Sequence, residues 1–216
     1  MARKALFITF EGPEGAGKST QIKLLKEYLE SQGRKVLVTR EPGGTPLAEN
    51  FRNIVKHYQG EEPLYPPTEL LLFEAARTQH VNYVIAPALQ NNIIVLCDRF
   101  IDSTEAYQGA GRAQNMDFLR QLNGYAIGEW VPDLTLLIDL PVEVGLQRAA
   151  ARVAHIVDHN DRLEAEKIDF HQRVRAAYLA IARREPQRVR VLDGSLDIEA
   201  LFNAVKQQVD DALSEL

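Results

Sequence analysis

Three observations in the sequence predict an α/β fold in which a parallel sheet is flanked by helices. First, short apolar runs of strand length recur between helical patterns, at residues 5–10, 36–39, 93–97, 134–138 and 189–192, the alternation expected of βαβ units. Second, the first run leads directly into Gly12-Pro13-Glu14-Gly15-Ala16-Gly17-Lys18-Ser19, followed by Thr20, which fits the P-loop pattern G-x-x-x-x-G-K-[ST] at every fixed position. Third, each of the first four runs is followed within a few residues by a polar or charged cluster. A parallel sheet gathers such clusters at the carboxyl ends of its strands, where ligands bind. With 45% hydrophobic residues, the 216 residues suffice for one α/β domain over 1–216 with a small inserted lid.

The first unit is strand, glycine loop and helix. Residues 21–31 place Ile22, Leu25 and Leu29 on one helical face, so the loop opens onto a helix N-terminus. Main-chain N–H groups of a glycine loop, joined to the positive end of a helix, form a cradle for a phosphate anion. Lys18 adds a mobile cation for β- and γ-phosphates, and the Ser19 hydroxyl is placed to ligate Mg²⁺. Residues Gly12 through Thr20 are therefore the expected ATP-binding segment.

The second run ends in Arg40-Glu41-Pro42-Gly43-Gly44-Thr45, a Pro/Gly turn whose arginine stands at the ligand edge, where its planar fork suits a phosphate. A helix is expected near 47–56. After Pro63, Pro66 and Pro67, Thr68 is read as the cap of a helix through Gln79, with Glu69 in its first turn. Phe73 and Arg77, four apart, share one face of it, an aromatic plate beside a guanidinium that suits a flat base.

The third run closes on Asp98-Arg99-Phe100. A carboxylate at the end of a strand beside the P-loop strand is the usual partner of Mg²⁺ and its water, which marks Ser19 and Asp98 as the candidate metal ligands. The fourth run leads through Pro141 into a helix carrying Arg148 and Arg152. A polar interval at 153–160 and Asp161-Arg162-Leu163-Glu164 follow, then a long helix through Arg184. Arginines flanking a polar loop between helices point to a lid, roughly 148–165, that carries cations over transferring phosphates. His155 and His159, near Asp158 and Asp161, are read as part of that polar segment rather than as a metal pair, since HxxxH without further ligands is weak.

Bulk properties narrow the classes further. A net charge of −5 and a pI near 5.6 give no basic field for nucleic acid or an anionic membrane. Cys97 is the only cysteine, which excludes an internal disulfide and suits a reducing compartment. The N-terminal MARKALFITFEG runs into charge and glycine too soon for a signal peptide, and no stretch reaches transmembrane length. A cytoplasmic protein is expected.

At this point the chain is similar to the bacterial thymidylate kinase (dTMP kinase) family over nearly its whole length. The residues that carry the resemblance are FEGPEGAGKST at 10–20, TREPGGT at 39–45, ELLLFEAARTQH at 69–80, DRFIDSTEAYQGAGR at 98–112, PDLTLLIDLPVEVGLQRA at 132–149 and DRLE at 161–164. The resemblance implies a P-loop nucleoside monophosphate kinase fold with a five-stranded parallel sheet, and a homodimer formed through helices. It also implies transfer of the γ-phosphoryl group of ATP to dTMP with Mg²⁺, giving dTDP on the way to dTTP. By that match Arg40 and Arg99 would hold the dTMP phosphate, Phe73 would stack on thymine and Arg77 would hydrogen-bond it. Ser103, Thr104 and Gln108 would line the base and sugar pocket, Tyr107 would disfavour a 2′-hydroxyl, and Glu14 would meet the 3′-hydroxyl. Lys18, Asp98 and Arg99 would be catalytic. Some members place a catalytic arginine in the P-loop directly after its acidic residue; that position is Gly15 here, so the resemblance is to the type in which a lid arginine, Arg152 or Arg148, supplies the charge.

Two rivals are weighed against this. A deoxynucleoside kinase phosphorylates a hydroxyl and has no use for an acceptor-phosphate clamp such as Arg40, but wants a base beside that hydroxyl. A regulatory GTP-binding switch reads guanine with Asn-Lys-x-Asp, which the chain lacks.

Overall fold

The computed structural model describes residues 5–153, 162–163 and 165–215, with only the backbone of Arg152 and Val153. Five parallel strands, β1 (Phe7–Glu11), β2 (Val36–Arg40), β3 (Ile94–Asp98), β4 (Leu134–Asp139) and β5 (Val189–Asp193), form one sheet in the order β2-β3-β1-β4-β5. β1 is central and buried along its whole length, as the uninterrupted apolar run requires. Each strand runs one residue past its apolar run, ending on Glu11, Arg40, Asp98, Asp139 or Asp193. The polar residues at the ligand edge are therefore held by the sheet ladder itself, as in the pairings Arg40↔Asp98 and Asp139↔Asp193.

The P-loop opens onto α1 (Lys18–Ser31), which buries Ile22, Leu25 and Leu29 as its spacing predicts. α2 (Pro46–His57) is capped by the Thr45 hydroxyl, which accepts from the Ala48 N–H at 3.1 Å. α3 (Pro66–His80) starts three residues earlier than expected: Tyr65 and not Thr68 is its cap, because Pro66 takes the first helical position, where a missing N–H costs nothing. The helix then widens through a π-helical turn, Val81–Ile85, into α4 (Ala86–Gln90). Pro87 explains the turn, since it cannot donate to the carbonyl four residues back and its ring needs room there. A short helix α5 (Ile101–Thr104) follows β3 and passes into a second π-helical stretch, Glu105–Gly111.

α6 (Met116–Ile127) begins at Asn115, whose side chain accepts from the Phe118 N–H at 3.0 Å. α7 (Val142–Val153) and α8 (Ile168–Arg184) follow β4. α9 (Ile198–Ser214) buries Leu201, Val205 and Val209 and lies beside α1, to which Tyr28 and Asp210 bind it at 2.8 Å. The core is divided. The larger part lies around β1, β3 and β4, with Phe7 edge-on to Phe100 at 4.9 Å. A smaller part packs Phe170, Val174, Tyr178 and Ile181 of α8 against Ala106 and Tyr107. The expected lid segment 154–161, with His155 and His159, lies outside the described residues.

Candidate active site

The carboxyl ends of β1, β2 and β3 open into one cleft. Glu14 through Thr20 form one wall; Arg40, Phe73 and Arg77, with Asp98, Arg99, Ser103, Thr104, Tyr107 and Gln108, stand across from it, and Arg52, Lys56 and Leu163 also line the cleft. Residues from six separate stretches of sequence thus share one cavity. Gly12 and Pro13 lie behind that wall, where their carbonyls accept from Lys18 Nζ at 3.1 and 3.0 Å. Burial pulls the pKa of Lys18 down, and the charge of Arg99 adds to this.

Close packing fixes the loop. Gly12 has φ +135°, and a Cβ there would stand 2.3 Å from the Ile138 carbonyl oxygen. Gly15 has φ +70°, and a Cβ there would stand 2.2 Å from the Gly145 carbonyl oxygen and 3.0 Å from Arg148 Cβ. Position 15, where a P-loop arginine would be, is thereby closed to any side chain by α7.

At the end of β3 the Ser19 hydroxyl donates to Asp98 Oδ2 at 3.1 Å. A hydroxyl and a carboxylate beside the phosphate cradle are hard oxygen donors of the kind Mg²⁺ prefers, so this pair fits that cation. Arg99 is enclosed by acceptors. Its Nη2 donates to Glu14 Oε1 at 2.5 Å and to the Tyr107 hydroxyl at 3.1 Å. Its Nη1 donates to the Gly12 carbonyl, Ser103 and Tyr178 at 3.1–3.3 Å. Arg40 reaches the cleft from its rim, half exposed, and donates to Glu49 Oε1 at 2.9 Å.

Arg77 is 1% exposed, and all five of its N–H groups are engaged. Nε donates to Glu41 at 2.8 Å, Nη1 to Glu74 at 2.6 Å and Asn123 at 2.8 Å, and Nη2 to the Phe100 carbonyl at 3.2 Å and Thr104 Oγ1 at 2.8 Å. Without a ligand, then, Arg77 has no donor to spare for a base, and Thr104, accepting from Arg77, keeps its own hydroxyl proton to give. Gln108 Nε2 is committed to Glu69 Oε1 at 3.1 Å. Beneath the cleft Glu11 is fully enclosed; burial, with the charge of Asp102 adding, pushes its pKa up to about 7.

The two arginines expected on the lid separate. Arg148 does not line the cleft and donates to the Gly194 carbonyl after β5 at 3.0 Å. The side chain of Arg152 lies outside the described residues. Downstream of the lid segment, Arg162 is tied to α2 through the Val55 carbonyl at 2.9 Å and to Glu69 at 3.3 Å, and Leu163 lines the cleft.

Some lining residues were not expected from the sequence: Glu41, Pro42, Arg52, Lys56, Phe100 and Leu163. Arg52 and Lys56 had a usable mark, being four apart on the helix that leaves the Arg40 loop and so sharing a face. Leu163 had none, because its place depends on how the chain returns from the lid segment.

Comparison with known proteins agrees with this geometry. The family model described as thymidylate kinase matches residues 10–205. The thymidylate kinase of Thermomicrobium roseum is 53% identical over 207 residues, covering 96% of this chain and 95% of that protein. That of Geobacter sulfurreducens is 51% identical over 200 residues, covering 92% and 93%. The crystal structure of thymidylate kinase from Ehrlichia chaffeensis superposes with a TM-score of 0.75 at 34% identity, covering 95% of this chain and 98% of that one. A matched model over most of the chain, relatives at half identity along their full length and a shared fold agree with one another: the chain belongs to the thymidylate kinase family.

Proposed function

We propose that the cleft transfers the γ-phosphoryl group of ATP to dTMP, giving dTDP and ADP. The observation that carries this reading is the convergence, in one cavity, of a P-loop wall with a second set of cations, Arg40, Arg52, Lys56 and Arg99, and an aromatic plate, Phe73. A site that phosphorylates a hydroxyl needs only the first; a site that joins two phosphates needs both.

Each residue then has a role. The amides from Glu14 to Thr20 and Lys18 hold the donor phosphates. Ser19 and Asp98 would hold Mg²⁺, which neutralises charge on the donor phosphates. Arg40 and Arg99, with Arg52 beside them, grip the acceptor phosphate, whose binding takes Arg99 from Glu14. Phe73 stacks on the base, Thr104, held by Arg77, offers it a hydroxyl proton, and Gln108 and Ser103 close the base and sugar wall. Tyr107 crowds the 2′ position and Glu14 turns to the 3′-hydroxyl. The acceptor phosphate is already ionised near pH 7, so no strong base is required, and Asp98 is an organiser rather than a proton abstractor. A lid arginine, Arg152 ahead of Arg148, completes the charge over the transferring group, and 148–165 acts as the lid of a single 1–216 domain.

Two copies of the chain associate through helices on this reading. Leu47 and Ile54 of α2, Leu71 of α3 and Phe118 and Tyr125 of α6 are exposed on helices that pack side by side. The protein works in the cytoplasm: its one cysteine, Cys97, is free and buried, and no helix among the described residues is long and apolar enough to cross a membrane.

Steady-state kinetics of Arg40→Ala test the acceptor clamp. KM for dTMP should rise by roughly 10- to 100-fold, the worth of a charge-assisted hydrogen bond, with KM for ATP little changed. An unchanged KM for dTMP would remove Arg40 from the clamp.

A further inference from the structure

Arg99 stands in a left-handed backbone conformation, φ +69°, which costs a residue with a side chain roughly 1–2 kcal/mol and persists only where its surroundings hold it. Its own N–H is anchored on the Phe10 carbonyl at 2.9 Å. Its guanidinium is held from behind by two hydroxyls, Ser103 and Tyr178, both on Nη1. Those hydroxyls lie 2.8 Å apart, and each reaches Glu11 Oε2, Ser103 at 2.6 Å and Tyr178 at 2.9 Å. The other oxygen of Glu11 accepts from the Phe100 N–H at 2.7 Å, next to Arg99 in the chain.

A hydroxyl that gives its proton to a carboxylate presents lone pairs in the remaining directions. In its ionised form Glu11 draws the O–H bonds of Ser103 and Tyr178 towards itself, and so makes both of them acceptors on the side where Arg99 Nη1 sits. Tyr178 is 2% exposed and Glu11 0%, and neither lines the cleft, so neither touches a substrate there. Their bonds run to Arg99, Phe100 and Ser103 instead.

We propose that Tyr178 and Glu11 are positioning residues for Arg99: through Ser103 they fix the rotation of its guanidinium and so set its aim at the acceptor phosphate. This rests on the reading of Arg99 as an acceptor-phosphate ligand. Tyr178 belongs to α8, which follows the lid segment, so the same contact ties the angle of α8 to the phosphate clamp.

Tyr178→Phe removes one oxygen and keeps the ring. Calorimetric titration with dTMP and with thymidine, which lacks the phosphate, separates positioning from packing. The variant should bind dTMP roughly tenfold more weakly, the worth of one charge-assisted hydrogen bond set off its line, and bind thymidine as the wild type does. In an Arg99→Ala background the same change should cost dTMP nothing more, because residues acting through one group are not additive. Equal loss for both ligands, no loss for dTMP, or full additivity with Arg99→Ala would each overturn the proposal. Should Arg99→Ala itself leave dTMP binding intact, the ligand role of Arg99 fails and this inference fails with it. Glu11→Gln keeps the shape of the carboxyl group and should show the same selective loss; equal weakening of both ligands would remove Glu11 from the arrangement.

Discussion

Arg77 carries the largest side chain among those the fold encloses almost completely, and its charge is met by Glu41 and Glu74 within 2.8 Å. A buried pair of this kind adds little net stability, yet removing one partner strands the other without water or counter-charge. Arg77→Met should therefore destabilise the protein by about 3–5 kcal/mol, measured by urea unfolding; a loss below about 1 kcal/mol would mean that Glu41 and Glu74 are relieved by other groups. The environment of Arg77 was only partly legible. Its place beside Phe73 follows from helical spacing, whereas Glu41, Asn123 and Thr104 reach it from three other stretches of chain, and no local pattern links them. Glu11 and Tyr178 are similar cases: neither carries a local mark, and only the fold brings Tyr178 to Arg99 and Glu11 to Tyr178 and Ser103.

Among the elements, the P-loop and α7 form one packed unit, since Gly145 takes the space beside Gly15 and Glu14. Arg148 is fixed within that unit by the Gly194 carbonyl, and Arg152 lies about one helical turn further on. Arg152→Ala is expected to lower kcat by roughly 10²-fold or more, as loss of a charge aimed at the transition state does, while Arg148→Ala changes kcat only slightly. The reverse pattern in single-turnover measurements would shift the catalytic charge back by one turn. The central strands β1, β3 and β4 were legible because strands buried on both faces demand continuous apolar runs; the half-exposed edge strands β2 and β5 were read from shorter runs. Each strand was read one residue short at its carboxyl end, where backbone pairing continues beneath the polar residue that closes it, and the first and third were begun two residues and one residue early. The π-helical turns were not legible, because they answer to Pro87 and to tertiary packing rather than to periodicity. Helices α6 and α9 went unread, although Asn115 and Asp197 both cap them in the ordinary way.

On the scale of the whole molecule, what makes the site is strand order. With β1 between β3 and β4, the P-loop, Asp98-Arg99 and the start of α7 meet at one edge, and β2 beyond β3 brings Arg40 to the same cleft. That a parallel sheet would gather these clusters was legible from the alternation of runs. The order itself was not, because a crossover helix constrains its handedness and not which neighbour the next strand takes. On the proposed function, strand order is what lets donor and acceptor sites face each other across Arg99. A coupled ADP-release assay with Mg-ATP against dTMP, dUMP, thymidine, UMP, CMP and GMP tests it most directly. The highest kcat/KM is expected for dTMP, a weaker reaction with dUMP and none with thymidine. Turnover of thymidine without turnover of dTMP would contradict it, leaving the P-loop as a donor site and dismissing Arg40 and Arg99 as an acceptor clamp.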